Sequence, residues 1–256
     1  SSIRIGVVDT GVDFGHPDLR PCLAHGINLL KRNALPHDDN GHGTHITGTI
    51  AAFNQRHGIM GVAPRATVYP VKAFDRHGIA HISDIILGIH WCIDNRMDII
   101  NMSFGMKTRN TLLLQAIRHA YRAGILVVAS SGNDGITKAI DYPARFLQTI
   151  SVGATSRNKT ISSFSNRGKG IDIFAPGERI YSTWLGGRYN ELSGTSMAAS
   201  HVTGTLALIL ALKPGIRPSH MKSMIRKTVH PYKLRYRDLY STKRHIINVL
   251  NLLKYI

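Results

Sequence analysis

Six apolar runs rich in β-branched residues alternate with helix-length segments along this 256-residue chain, and that alternation limits its fold more than any other feature. The runs are "IRIGVVDTG" (3–11), "ATVYPVKAF" (66–74), "MDIINMSFG" (97–105), "ILVVASSGND" (125–134), "LQTISVGAT" (147–155) and "GIDIFAPG" (170–177). Near-continuous apolar character, rather than an apolar/polar alternation, marks strands buried on both faces, as in a parallel sheet. Between them, "ISDIILGIHWCIDNR" and "TLLLQAIRHAYRAG" repeat apolar residues every three to four positions, and the second closes on Gly124. "GHGTHITGTIAAFN" opens another helix with small residues on one face, and "SMAASHVTGTLALILAL" forms a long helix ended near Pro214. Strands and helices of these lengths predict an α/β protein whose mainly parallel sheet is covered on both sides. The length allows one large domain or two small ones, and one is the economical reading.

Ligands of such sheets bind beyond the carboxyl ends of the strands. Asp9, Ser103 to Gly105 and Asn133 fall at those ends, while His42 and Ser196 fall at helix starts, so residues distant in sequence can converge on one rim. A serine hydroxyl needs an imidazole to take its proton, and a buried carboxylate fixes the imidazole's tautomer and steadies its charged form. Taken singly, Asp9 reads equally well as a turn cap, His42 as a loop histidine among 14, and Ser196 as a helix cap. Taken together they stand in particular small-residue frames, "VVDTG", "NGHGTHITG" and "SGTSMAAS", where glycines let backbone and substrate approach closely.

These frames, in the order Asp, His, Ser, resemble the subtilisin-like serine proteases (subtilases, peptidase family S8). The likeness extends through "VVDTGVDFGHPDL", "IMGVAPRATVYPVKAF", "MDIINMSFG", "VVASSGNDG", "YPA", "ISVGAT" and "FAPG" to "HIINVLNLLK". "GTSMA" is not Gly-x-Ser-x-Gly, because Ala198 replaces the last glycine, which sets an α/β-hydrolase aside. The resemblance implies a three-layer αβα sandwich with a roughly seven-stranded sheet and a single catalytic domain over 1–256 that lacks the family's N-terminal segment. It implies that Asp9 orients the histidine, His42 is general base and then acid, Ser196 attacks the scissile carbonyl, and Asn133 donates to the oxyanion beside the Ser196 N–H. Ser103, Phe104 and Gly105 match the edge segment that binds substrate backbone, and Gly78, Ile79 and Ala80 match the segment facing it. Ser130, Ser131 and Gly132 would line one wall of the pocket for the residue before the cleaved bond. Asp134 and Asp141 fall near that pocket, where a carboxylate would favour Arg or Lys.

The chain departs from the family at four places. Ser200 stands where subtilases commonly have proline, a change that removes no catalytic group. The chain begins inside the usual domain, without the segment that supplies one calcium ligand. Asp18, in "GHPDL", matches the family's structural calcium ligand, yet "FNQRHGI" puts Gln55, Arg56 and His57 where calcium wants short oxygen ligands, so the site is only half recognisable. "YSTKRHIINV" replaces a glycine-rich turn before the last helix. No cofactor is expected for the chemistry itself.

Composition enters through charge. The formal net charge is +17, with 32 Lys and Arg against 15 acidic residues, densest over Lys213 to Lys254. A solvated basic surface accounts for it, since no zinc finger, aromatic RNA-binding motif or recognition helix accompanies the charge, and no specific nucleic-acid partner is expected. The alternative to an enzyme is an inactive subtilase-like module that binds anionic polymers. A metal-dependent hydrolase rests only on the pair His42 and His45, without a His-Glu-x-x-His motif. Cys22 and Cys92 match no metal spacing and read as free, buried thiols, with a single bridge as the other case. The longest apolar run is too short to span a bilayer. The reading is therefore of a monomeric endopeptidase acting on protein or peptide substrates, with a propeptide as inhibitor. It would be secreted, with a cytoplasmic setting as the alternative.

Overall fold

The computed structural model describes residues 2–54 and 57–229. Gln55, Arg56, the turn "YSTKRHIINV", the segment "HIINVLNLLK" and most of the basic C-terminal region lie outside the described residues. Seven parallel strands form one sheet: β1 (Arg4–Asp9), β2 (Ile27–Asn28), β3 (Thr67–Lys72), β4 (Ile99–Met102), β5 (Leu126–Ser130), β6 (Ile150–Thr155) and β7 (Ile173–Pro176). Their order is β2-β3-β1-β4-β5-β6-β7, so the chain starts near the centre, runs out to the β2 edge and reverses direction across the sheet after β2. β1 pairs with β3 from Arg4 opposite Thr67 to Asp9 opposite Lys72, and with β4 from Ile5 opposite Ile99 to Val7 opposite Asn101.

The strands alternate between two apolar layers. Ile5, Val7, Ile99, Leu126 and Val128 face a core shared with α1 (His42–Ala51), α4 (Thr195–Leu212) and α5 (Pro218–Val229). Val8, Ile100, Val127 and Ala129 face a second core shared with α2 (Ile82–Asp94) and α3 (Thr111–Arg122). Period-2 side chains with both faces covered make a three-layer sandwich, which is why the strand runs are continuously apolar. Among the described residues α4 is the one helix long and apolar enough to cross a membrane, and 78% of it is buried in this core. Cys22 and Cys92 are both free and buried.

Helix ends follow local chemistry. Asn110 caps α3 by accepting from the Leu113 N–H at 2.9 Å, and Gly124, at φ 86°, ends the same helix as its sequence predicts. Four elements go beyond the sequence reading. β2 is only two residues long, α5 follows α4, and β8 (Ile180–Trp184) pairs antiparallel with β9 (Arg188–Leu192) in a separate hairpin.

Candidate active site

The carboxyl ends of β1, β4 and β5 meet the first turns of α1 and α4 on one rim. Asp38 prepares the first of these helices. Its carboxylate accepts from the N–H groups of Asn40, Gly41 and Thr44 and from the Thr44 hydroxyl, at 2.6 to 3.0 Å. Burial would raise the pKa of Asp38, but these donors hold it below the usual carboxylate value. α1 then lies close against the β1 loop. The Gly43 N–H donates to Thr10 Oγ1 at 2.9 Å, and a Cβ on Gly43 would come within 2.2 Å of the Gly11 carbonyl oxygen, so only glycine permits this approach.

That approach brings His42 Nδ1 to 2.8 and 3.0 Å from the two oxygens of Asp9. Asp9 is 3% exposed and also accepts from the Thr10 N–H at 2.7 Å. With Nδ1 on the carboxylate, the proton sits on Nδ1 and Nε2 is the free basic nitrogen. Burial pulls the His42 pKa down, but the Asp9 charge, the Asp9 hydrogen bond and the Asp38 charge together keep it above 6.5. His45, one turn on, points elsewhere. Its Nε2 donates to the carbonyls of Ile180 and Asn190 at 2.9 and 3.2 Å, beneath the β8–β9 hairpin. The two histidines do not form a metal pair, and burial pushes the His45 pKa down to about 4.

Ser196 is the second residue of α4, where free N–H groups and the helix dipole favour negative charge. Its hydroxyl donates to the Ser103 carbonyl at 2.9 Å rather than to His42. Ser103 returns a bond from its own hydroxyl to the Ser196 carbonyl at 3.2 Å and accepts from Asn101, which in turn accepts from Thr203 of α4. This buried chain of polar side chains locks the end of β4 to α4. Ser200 is buried and donates to the same Ser196 carbonyl at 2.9 Å, so the hydroxyl that replaces the expected proline is satisfied within the helix.

Asn133, on the loop after β5, is anchored through its oxygen, which accepts from the Thr195 N–H and Thr195 Oγ1, both at 2.9 Å. Its Nδ2 is thereby turned outward. The spot beside Gly194 where a side chain would begin lies 3.5 Å from that Nδ2 and 3.8 Å from the Ser196 nitrogen, so both donors border the same space.

The predicted substrate segments flank this rim. Gly78, Ser103 and Phe104 line a cleft of about 240 Å³ together with Asp9, His42 and Phe74, and the Phe74 and Phe104 rings pack at 5.0 Å. Ile79 is 66% exposed beside Gly78, and Ala80 is half-buried against the α2–α3 core. Ser130 donates to the Phe104 carbonyl at 3.3 Å, Ser131 is buried beneath, and the Gly132 N–H donates to Thr195 Oγ1 at 3.2 Å. Asp141 and Asp134 both lie here and both pair with Lys107, a partner 34 and 27 residues away that no local pattern signals.

Asp18 is fully buried, does not line this cleft, and is held by this chain's own donors. Asn54 Nδ2 reaches it at 2.6 Å, the Ile59 N–H at 2.9 Å and the Tyr189 hydroxyl at 2.8 Å. Burial would raise its pKa, but these hydrogen bonds keep it low, while burial and the bond to Asp18 push Tyr189 up to about 12. No cluster of three or more His, Cys, Asp or Glu that could hold a metal occurs among the described residues. Among the described residues Asp18 stands as a lone carboxylate whose oxygens already accept three hydrogen bonds, an arrangement that does not fit calcium, which asks for six to eight oxygen ligands.

The sequence profile of the subtilase family matches residues 1–249. The chain is 43% identical to a thermostable alkaline protease of Halalkalibacterium halodurans over 88% of this chain and 61% of that protein. It is 39% identical to subtilisin DY of Bacillus licheniformis, over 89% of this chain and 84% of that one. Against subtilisin E of Bacillus subtilis it is 41% identical, over 89% and 60% respectively, so it spans about three fifths of two of these relatives. The crystal structure of a cold-adapted subtilisin-like serine proteinase superposes with a TM-score of 0.83 at 30% identity, covering 97% of this chain and 85% of that one. The chain belongs to the subtilase family, the S8 family of serine endopeptidases.

Proposed function

We propose that this chain hydrolyses peptide bonds in protein substrates through an acyl-enzyme on Ser196. The observation that carries the reading is the His42 Nδ1 pair with buried Asp9, which leaves Nε2 as the base on a cleft bordered by Ser103, whose carbonyl holds the Ser196 hydroxyl. In the resting arrangement that carbonyl holds the hydroxyl proton. Turning the hydroxyl to His42 Nε2 lets the imidazole take the proton as Oγ attacks the scissile carbonyl. Asp9 holds the imidazolium that forms. Asn133 Nδ2 and the Ser196 N–H supply the two donors for the oxyanion. His42 Nε2–H then protonates the leaving amine, and a water activated by the same nitrogen releases the acid.

Ser103 to Gly105 and Gly78 to Ala80 would bind the substrate backbone from opposite sides of the cleft, as an added strand. Recognition through backbone hydrogen bonds suits unfolded or flexible segments of many sequences. Subtilisins need no cofactor for catalysis, and calcium at Asp18 forms no part of the proposal. An extracellular setting is carried by family membership alone. Neither the site nor its relatives support the alternative of an inactive anionic-polymer binder.

The test is cleavage of a denatured protein mixture by the chain and by Ser196→Ala and His42→Ala. Cleavage lost in both variants is expected. Cleavage that persists in Ser196→Ala would refute the reading.

A further inference from the structure

Between the two predicted pocket walls lies a buried carboxylate that the mechanism does not use. Asp141 is 7% exposed, and its Oδ2 would stand 2.6 Å from a Cβ on Gly105 and 2.4 Å from a Cβ on Gly132. Both walls end in glycine: a side chain at Gly105 would run into this oxygen, and one at Gly132 would run into it and into Asn166 Nδ2 at 2.3 Å. The backbone fixes the residue to both walls. The Asp141 N–H donates to the Ser131 carbonyl at 3.0 Å, and the next residue, Tyr142, exchanges two hydrogen bonds with Met106 at 2.7 and 2.8 Å.

The group seated on this carboxylate is an ammonium. Lys107 Nζ lies 2.9 and 3.0 Å from the two Asp141 oxygens and also bonds to Asp134 at the rim. Two carboxylates thus share one cation, and Lys107 is the sole salt-bridge partner of either among the described residues. The cluster carries a net charge of −1. The acid is fixed and the cation is not: the Asp141 side chain is 9% exposed and that of Lys107 64%. Hydrogen bonding to Asp134 raises the Lys107 pKa, and the same bond lowers that of Asp134, so both stay charged at neutral pH.

We propose that Asp141 sets a preference for Arg or Lys immediately before the cleaved bond, with Lys107 as a resident counter-ion that the substrate cation displaces. The inference rests on the proposed peptidase reading and adds its substrate class. An arriving guanidinium presents two parallel N–H donors to two oxygens that Lys107 meets only as a point charge, so the exchange gains geometry without losing charge balance. The displaced Lys107 keeps Asp134 as its partner. An apolar side chain in the same pocket would instead lie against a charged pair that it cannot hydrogen-bond.

The experiment measures kcat/KM for four peptides that differ only in carrying Arg, Lys, Leu or Phe at that position. It uses the wild-type chain, Asp141→Asn, Lys107→Met, Lys107→Arg and Ser196→Ala. Wild type should favour Arg over Leu by on the order of 10- to 100-fold, the range of a charge-assisted hydrogen bond. Asp141→Asn should collapse the Arg/Leu ratio to near one, and Lys107→Met, which removes the competitor, should raise it. The conservative Lys107→Arg should lower it by holding the pocket more tightly. Leu or Phe peptides cleaved as fast as the Arg peptide by wild type would overturn the inference while leaving the peptidase reading intact. So would a Lys107→Met variant that slows all four peptides equally, since that marks a purely structural role. Absence of any Ser196-dependent cleavage would overturn both.

Discussion

Thr195 is the residue on which the proposed oxyanion donor most depends, and replacing it with valine isolates that dependence. Its hydroxyl is buried, 1% exposed for the residue, and does two things: it donates to Asn133 Oδ1 at 2.9 Å and accepts from the Gly132 N–H at 3.2 Å. Thr195→Val keeps the shape and removes both. Gly132 is buried, so its N–H is left without a partner, at a cost of about 1–3 kcal/mol. In a domain of this size that corresponds to a fall of roughly 2–12 °C in Tm. Asn133 retains only the Thr195 N–H at 2.9 Å, so its Nδ2 is aimed less sharply at the developing oxyanion. Deleting such a donor outright costs about 10²–10³ in kcat, a magnitude measured on subtilisin itself, and a loosened donor should lose about tenfold. The assay is steady-state hydrolysis of one peptide substrate, with kcat and KM determined separately, alongside a thermal melt. The expected result is a lower kcat at nearly constant KM, with Thr195→Ser close to wild type on both measures. An unchanged kcat in Thr195→Val, or an equal loss in Thr195→Ser, would refute the claim that this hydroxyl positions Asn133.

Further outcomes follow from the titrating groups and the Asp18 knot. Activity requires neutral His42, so kcat/KM should rise with pH through an apparent pKa above 6.5, and Asp9→Asn should lower both that pKa and, by roughly four orders of magnitude, kcat. Because the folded pKa is raised, the His42–Asp9 pair stabilises the fold fully below 6.5 and loses this contribution as pH rises through the folded value, which melts of wild type and Asp9→Asn across pH 5–9 would register. His45 has the opposite sign. Its folded pKa of about 4 means that stability falls as pH drops from 6.5 towards 4, by up to about 3 kcal/mol, and His45→Gln should flatten the acid limb of the Tm–pH curve. Asp18→Asn replaces one of two acceptor oxygens that between them take three donors, so Tm should fall by an amount worth about 1–3 kcal/mol, and by the same amount with and without a chelator. A chelator-dependent difference would restore calcium to that site.

Much of this was legible in the chain because parallel strands and their helices announce themselves by periodicity. The six apolar runs became β1, β3, β4, β5, β6 and β7 in the expected layers, and Asp9, His42 and Ser196 fell at the strand and helix ends that their small-residue frames require. Local patterns carry no information about partners far along the chain. The two residues of β2 are too few to show a period, and the link from Lys107 to Asp141 spans 34 residues. Asp38 was within reach, since an acid two residues before "NGHGTH" can accept from the first N–H groups of the helix. Asp18 matched a calcium ligand by motif, but whether a carboxylate meets a metal or three hydrogen-bond donors depends on Tyr189, 171 residues on. The resting bond from Ser196 to the Ser103 carbonyl likewise depends on how α4 packs against β4, which no spacing of residues reveals.

Hydrolysis by the proposed route requires Ser196 to be covalently acylated during turnover. Reaction with an activated peptidyl ester, quenched in acid within the burst phase, puts it to the test by mass spectrometry of the intact chain and of its fragments. A burst of about one equivalent per chain is expected, with an acyl adduct confined to the fragment containing Ser196 and neither in Ser196→Ala. An active chain that shows no burst, or one that carries the adduct on another residue, would contradict that route.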